Sequence, residues 1–99
     1  MKNFNQKVAA ITGAGSGIGQ QLAILLAQQG THLALSDVNE QGLLETRSLI
    51  AQYSVNATFT QLDVSNQEAV RAWAADSFTH HGKINLIFNN AGVALASTV

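Results

Sequence analysis

The sequence has no cysteine and no proline in its 99 residues. The first absence excludes disulfides, thiolate chemistry and cysteine-based zinc sites. The second, with no repeat and no low-complexity segment, leaves nothing that reads as a linker, so residues 1–99 are expected to form one domain. Charge is sparse. Five basic and six acidic side chains give a net charge of −1, which provides no electrostatic footprint for nucleic acid or an anionic membrane. No apolar run approaches the roughly 18 residues that span a bilayer. The start, "MKNFNQK", is polar and lacks a signal-peptide core. The expectation is a soluble cytoplasmic protein. His32, His80 and His81 are the only histidines and fit no metal-ligand pattern, so no metal is expected.

What is present is an apolar chain with a regular rhythm. Hydrophobic residues make up 46%, enough for a packed core. "KVAAIT" (7–12), "HLALS" (32–36), "ATFTQL" (57–62) and "INLIF" (84–88) read as four short strands. Between them lie three helical segments. The first starts at Gly17, with Ile18, Leu22, Leu25 and Leu26 at helical spacing and Gly30 as its stop. The second runs from Glu40 to about Tyr53, with Leu43, Leu44 and Ile50 on or near one face. The third opens with Ser65 and Glu68 as a capping box and carries Val70, Trp73, Ser77 and Phe78. It ends at His80-His81-Gly82, two possible cations at the negative end of the helix and a glycine stop. Alternation of this kind predicts parallel strands joined by right-handed crossovers. The expected fold class is α/β, a Rossmann-type doubly wound parallel sheet that is partial: four strands in the order 3-2-1-4 and three helices.

The first turn, Thr12-Gly13-Ala14-Gly15-Ser16-Gly17-Ile18-Gly19, follows a strand and opens a helix. Glycines allow positive φ and close approach of a ligand to the main chain, while the helix N-terminus favours a phosphate. A P-loop is excluded because no Gly-Lys-Ser/Thr follows, and Gly-x-Gly-x-x-Gly is not met either. Gly-x-x-x-Gly-x-Gly is met, at Gly13, Gly17 and Gly19. The alternative role is a turn that merely closes strand onto helix. Asp37 lies 20 residues beyond Gly17, at the end of the second strand. A carboxylate there accepts both hydroxyls of an adenosine ribose and repels a 2′-phosphate; its alternative role is a helix cap, which Asn39 could fill instead. No Arg or Lys stands near Ser16 or Val38 to hold a 2′-phosphate, so NAD is expected over NADP.

"TGAGSGIG" after strand one, Asp37 after strand two, Asp63-Val64 after strand three and "NNAG" after strand four occur in order. In this combination the chain resembles the short-chain dehydrogenase/reductase family, from about Lys7 to Gly92. The resemblance implies a nicotinamide dinucleotide site and hydride transfer to or from an alcohol or ketone. It assigns Gly13, Gly15, Gly17 and Gly19 to the pyrophosphate turn, with Ser16 and Ile18 lining it. Asp37, followed by Val38, takes the adenosine ribose. Asp63 and Val64 flank the adenine, and Asn90, Ala91 and Gly92 pass near the nicotinamide-side ribose.

In that family the serine that orients the substrate carbonyl, and the proton-transferring tyrosine four residues before a lysine, lie downstream of "NNAG", so no catalytic residue is expected within this sequence. Tyr53, the sole tyrosine, has no lysine at the fourth position, and Lys83 precedes strand four, away from the binding edge. Ser97 and Thr98 have no base at helical spacing. The expectation is the cofactor-binding portion of an enzyme, truncated before its reaction centre and inactive alone. An unpaired fourth strand and a thinly covered second face would favour a homo-oligomer. A stand-alone NAD-binding fragment and a self-associating remnant are the alternatives.

Overall fold

The computed structural model describes residues 4–90. Their order is β1 (Val8–Thr12), α1 (Gly17–Gln28), β2 (His32–Asp37), α2 (Glu40–Ile50), β3 (Ala57–Gln61), α3 (Gln67–His81) and β4 (Leu86–Asn89). All pairings are parallel and the sheet order is β3-β2-β1-β4. The expected architecture is therefore the observed one.

The sheet is central because its strands are apolar on both faces. β1 is buried at every position. Ala9, Ile11, Leu33 and Leu35 pack with Ala23, Leu26 and Ala27 of α1 and with Leu43 and Ile50 of α2. Ala10 and Ala34 point the other way, toward Leu62 and toward Trp73 of α3. Neighbouring residues facing opposite sides follow from the two-residue period of a strand. The chain moves outward from β1 to β3 and then returns across β1 to reach β4. Constant crossover handedness puts the returning helix on the opposite face.

The two faces are not equally covered. Two helices cover one face, whereas α3 alone covers the other. Ile87, level with Ala10 in the register, is 74% exposed. Beside it a groove of about 260 Å³ is lined by Ala10, Val70, Trp73, Ile84 and Ile87 among others. The buried Trp73 indole N–H has no hydrogen-bond partner among the described residues.

Several local expectations are corrected. On α1 the buried residues are Gly19, Ala23, Leu26 and Ala27, whereas Ile18 and Leu25 are 78% and 56% exposed. Gly19, Ala23 and Ala27 let the helix approach the sheet closely, Leu26 packs beside them, and Ile18 and Leu25 lie at the flanks. Leu44 and Phe78 are exposed for the same geometric reason: each sits off the stripe defined by Leu43 and Ile50, or by Trp73 and Ser77. The cap of α3 is Asn66, not Ser65; the Asn66 side chain accepts from the Ala69 N–H at 3.0 Å. Ser65 is diverted to Asp63, whose Oδ1 accepts its N–H at 2.9 Å and its hydroxyl at 2.8 Å. Gly82 ends α3 as expected, with φ of 81° and its N–H on the Phe78 carbonyl. After α1 the cap is Gln29, and Gly30 follows with φ of 82°.

Candidate site at the carboxyl edge of the sheet

Parallel pairing brings every strand's carboxyl end to one edge, and the sequence places its distinctive residues there. The turn after β1 is shaped by glycines at two positions of positive φ, 68° at Gly13 and 56° at Gly17. A third glycine is demanded by contact. A Cβ on Gly19 would run into the Gly13 carbonyl oxygen and lie 2.8 Å from the Asn90 amide nitrogen. The chain thus folds back on itself where β1 becomes α1.

Helix α1 begins with Ser16 in an extended conformation, and its side chain makes no capping bond. A helix leaves its first N–H groups without intrahelical acceptors. Ser16, Gly17 and Ile18 are all exposed, and nothing lies within 4 Å of where a Gly17 side chain would start. Acidic residues are absent from the first turn. The helix end is therefore open to an anion, with the positive end of its dipole toward it.

β2 delivers Asp37 to the same turn. Its Oδ2 accepts the Gly15 N–H at 2.8 Å and its Oδ1 accepts the Asn39 N–H at 2.9 Å. Asn39, not Asp37, caps α2, accepting from the Gly42 N–H at 3.1 Å. A carboxylate has roughly four acceptor sites, so two backbone donors leave capacity for two more. Val38 beside it is 62% exposed. Further along the edge, Asp63 is fully exposed. The Ser65 N–H, followed by the Ser65 hydroxyl, holds its carboxyl below the usual carboxylate range, against a small opposing effect of burial. Val64 is half-buried and borders the groove beside α3.

β4 closes the edge. The Thr12 hydroxyl donates to Asn89 Oδ1 at 3.0 Å, and Asn90 Nδ2 donates to the Gly13 carbonyl at 3.2 Å. The two asparagines thus tie β4 to β1 and to the first glycine of the turn. Ala91 and Gly92, with the tail after them, lie outside the described residues.

Tyr53 and the histidines are remote from the turn, whereas Glu45 accepts from Gln20 Nε2 at 3.1 Å beside it. Tyr53 accepts from Gln28 Nε2 at 3.0 Å and borders Ala57, at the start of β3 and so at the opposite end of the sheet. His32 Nδ1 accepts the Asn56 N–H at 2.9 Å, which leaves Nε2 to donate to Gln6 at 3.1 Å. His81 Nε2 lies 3.2 Å from the Thr58 hydroxyl. Burial, then the neighbouring His80 and His32, lowers its pKa below the ordinary histidine value, against a raising bond at Leu33. Among the described residues no group of three or more His, Asp or Glu side chains is placed to hold a metal, and no helix is long and apolar enough to cross a membrane.

Sequence reasoning missed three contributors: Gln20, Gly42 and Thr46. Gly42 is buried because a Cβ there would lie 2.5 Å from the Gly15 carbonyl oxygen. The available signal was a glycine and a threonine four residues apart, opposite the exposed stripe of α2.

A parallel sheet with a glycine turn opening a helix and an acid at the end of the next strand defines the doubly wound class that holds ligands at its carboxyl edge. Comparison with known proteins makes this specific. A family model described as short chain dehydrogenase matches residues 7–99, and the chain belongs to that family. It is 43% identical over 99 residues to SadH of Mycobacterium tuberculosis, covering 100% of this chain and 36% of that protein. It is 39% identical over 90 residues to a cyclohexanol dehydrogenase of an Acinetobacter species, covering 91% of this chain and 36% of that protein. Among solved structures, a Burkholderia phymatum short chain dehydrogenase/reductase in complex with NAD superposes with a TM-score of 0.81 at 38% identity. That match covers 88% of this chain and 31% of the other. The chain spans about a third of the length of the proteins it matches.

Proposed function

We propose that this chain is the dinucleotide-binding portion of an NAD-dependent oxidoreductase that moves a hydride between nicotinamide and an alcohol or carbonyl compound. One observation carries the reading: the open N-terminus of α1 and the Asp37 carboxylate converge on the same turn, joined through the Gly15 N–H. In this reading Gly13, Gly15, Ser16, Gly17, Ile18 and Gly19 hold the pyrophosphate by backbone N–H groups and the helix dipole. Asp37 accepts the ribose hydroxyls with its two remaining acceptor sites, and Val38 lies beside the sugar. Asp63 and Val64 border the adenine. Asn90, Ala91 and Gly92 form the nicotinamide-side wall. When bound, the cofactor supplies the hydride chemistry, and the chain supplies position and electrostatics.

The preference for NAD over NADP rests on charge. A 2′-phosphate at Asp37 sets two anions against each other without a cationic side chain nearby in sequence. Titration calorimetry with NAD and NADP tests both parts. Binding of neither nucleotide sinks the site; tighter binding of NADP sinks the role of Asp37.

Residues 1–99 by themselves are expected to bind without turnover in the cytoplasm, because Tyr53 and the histidines lie at the far end of the sheet from the turn. A second reading, self-association of this chain, is favoured by the exposed Ile87 and the groove beside it. Sedimentation decides it: a monomer at all concentrations excludes that reading.

A further inference from the structure

We propose that Thr46 and Gln20, neither of which is placed to touch a nucleotide through its own polar group, are the positioning residues that orient the turn and aim the Asp37 carboxylate. The inference rests on the nucleotide-binding reading and extends it to how NAD is told from NADP.

Thr46 is fully buried on α2. Its hydroxyl donates to the Ala14 carbonyl at 2.7 Å, shorter than its 3.1 Å contact with the Gly42 carbonyl in its own helix. The hydroxyl has one proton, and the shorter contact takes it. Gln20 Nε2 in turn reaches Thr46 Oγ1 at 3.0 Å, Glu45 Oε1 at 3.1 Å and the Gly15 carbonyl at 3.4 Å. The Ala14 carbonyl is therefore held by Thr46 of α2, and the two Gln20 amide protons go to the shorter contacts, Thr46 Oγ1 and Glu45 Oε1, so that Gln20 of α1 fixes the Thr46 hydroxyl that holds the turn.

A trans peptide is planar, so its C=O and the following N–H point in opposite directions. Fixing a carbonyl fixes the N–H of the next residue. With the Ala14 carbonyl held by Thr46, the Gly15 N–H points to Asp37, as its 2.8 Å bond to Oδ2 records. The Gly15 carbonyl faces α2, 2.5 Å from where a Gly42 Cβ would stand, so the Ser16 N–H points away from α2. Gly42 makes this possible, because any side chain there would hold α2 off Gly15. The carboxylate that would read the ribose is thus aligned by a hydroxyl it never meets.

The test compares the 99-residue chain with Thr46→Val, which keeps the shape and loses the hydroxyl, and Thr46→Ser, which restores it. Two measurements are made. Without nucleotide, amide hydrogen exchange by NMR should show Gly15 protection falling about tenfold in Thr46→Val, the equivalent of one net hydrogen bond. Protection of Ala9 and Ile11 should hold, and Thr46→Ser should recover Gly15. With nucleotide, the NAD-to-NADP affinity ratio should fall about tenfold in Thr46→Val and return in Thr46→Ser. Unchanged Gly15 protection, or a uniform loss across β1, overturns the proposal. If Thr46→Val does not fold, Gln20→Met carries the same two measurements, and an unchanged exchange pattern and ratio there overturns it equally. Failure of the parent chain to bind either nucleotide defeats the binding reading, while the exchange arm still decides the alignment.

Discussion

Gly15 and Asp37, 22 positions apart in sequence, share a backbone-to-carboxylate hydrogen bond of 2.8 Å. Through it the turn after β1 and the end of β2 behave as one unit. A change to either residue alters the other's geometry: a Cβ on Gly15 would sit 2.9 Å from Asp37 Oδ2 and 3.1 Å from the Leu43 nitrogen.

Asp37→Asn should therefore weaken NAD more than NADP. A hydrogen bond to a charged group contributes about 1.5–3 kcal/mol. Losing the charge while keeping the shape should reduce NAD affinity by roughly tenfold or more and bring the two cofactors closer together. Paired calorimetric titrations read this directly, and an unchanged ratio would show that discrimination lies elsewhere.

Gly42→Ala should destabilise the chain although it replaces glycine by alanine within a helix. Propensity alone favours alanine by about 0.8–1.0 kcal/mol. The new Cβ would, however, lie 2.5 Å from the Gly15 carbonyl oxygen and 3.0 Å from its carbonyl carbon. Both are backbone atoms that cannot rotate away, and overpacking of this kind costs about 1–3 kcal/mol. The urea midpoint should fall; a rise would mean that α2 can shift away from the turn.

Capping of α3 separates two adjacent residues. Asn66→Ala removes the acceptor for the Ala69 N–H and should cost about 1 kcal/mol. Ser65→Ala removes only an exposed bond to Asp63 and should cost measurably less. Equal losses in urea denaturation would return the cap to Ser65.

Acidification should weaken the fold through His81. Its folded-state pKa lies below the ordinary histidine value, chiefly because burial disfavours the cation and secondarily because His80 and His32 repel it. The unfolded chain then binds the proton more readily than the folded one. Stability is highest above the ordinary histidine pKa, falls as pH drops through that value, and levels off below the folded-state pKa. His81→Gln should flatten this part of the profile of thermal midpoint against pH. Asp63 works on a lower window: its depressed pKa contributes stability that is lost only as pH falls through the carboxylate range, and its full exposure keeps the effect small.

The strand–helix alternation was legible because each strand is a short apolar run and each helix has its own period. The reversal that sends α3 to the other face followed from crossover handedness alone. That Gly13 and Gly17 shape the turn after β1 and that Asp37 stands at the end of β2 was legible because glycine alone takes positive φ readily and the apolar run of β2 stops at the carboxylate. Other features depended on packing that spacing does not encode. Ile18 and Leu25 looked like core and are exposed, because Ala23 and Ala27 permit the close approach that larger side chains would block. Thr46 looked like an ordinary helical threonine; its partner, the Ala14 carbonyl, is 32 positions away and only the fold brings them together. Ser65 fitted the capping pattern but was outcompeted by Asn66 once Asp63 had engaged it.

The bonds from Thr12 to Asn89 and from Gly13 to Asn90 each join residues 77 positions apart. At a synthesis rate of about 5–20 residues per second, the turn is made roughly 4–15 s before its asparagines. During that interval β1, α1, β2 and α2 can assemble from near neighbours, whereas the far side of the turn has no support. The mouth of the site would then be the last part of this region to acquire its final shape, and a nascent chain halted before β4 would display the glycines without the wall that holds them.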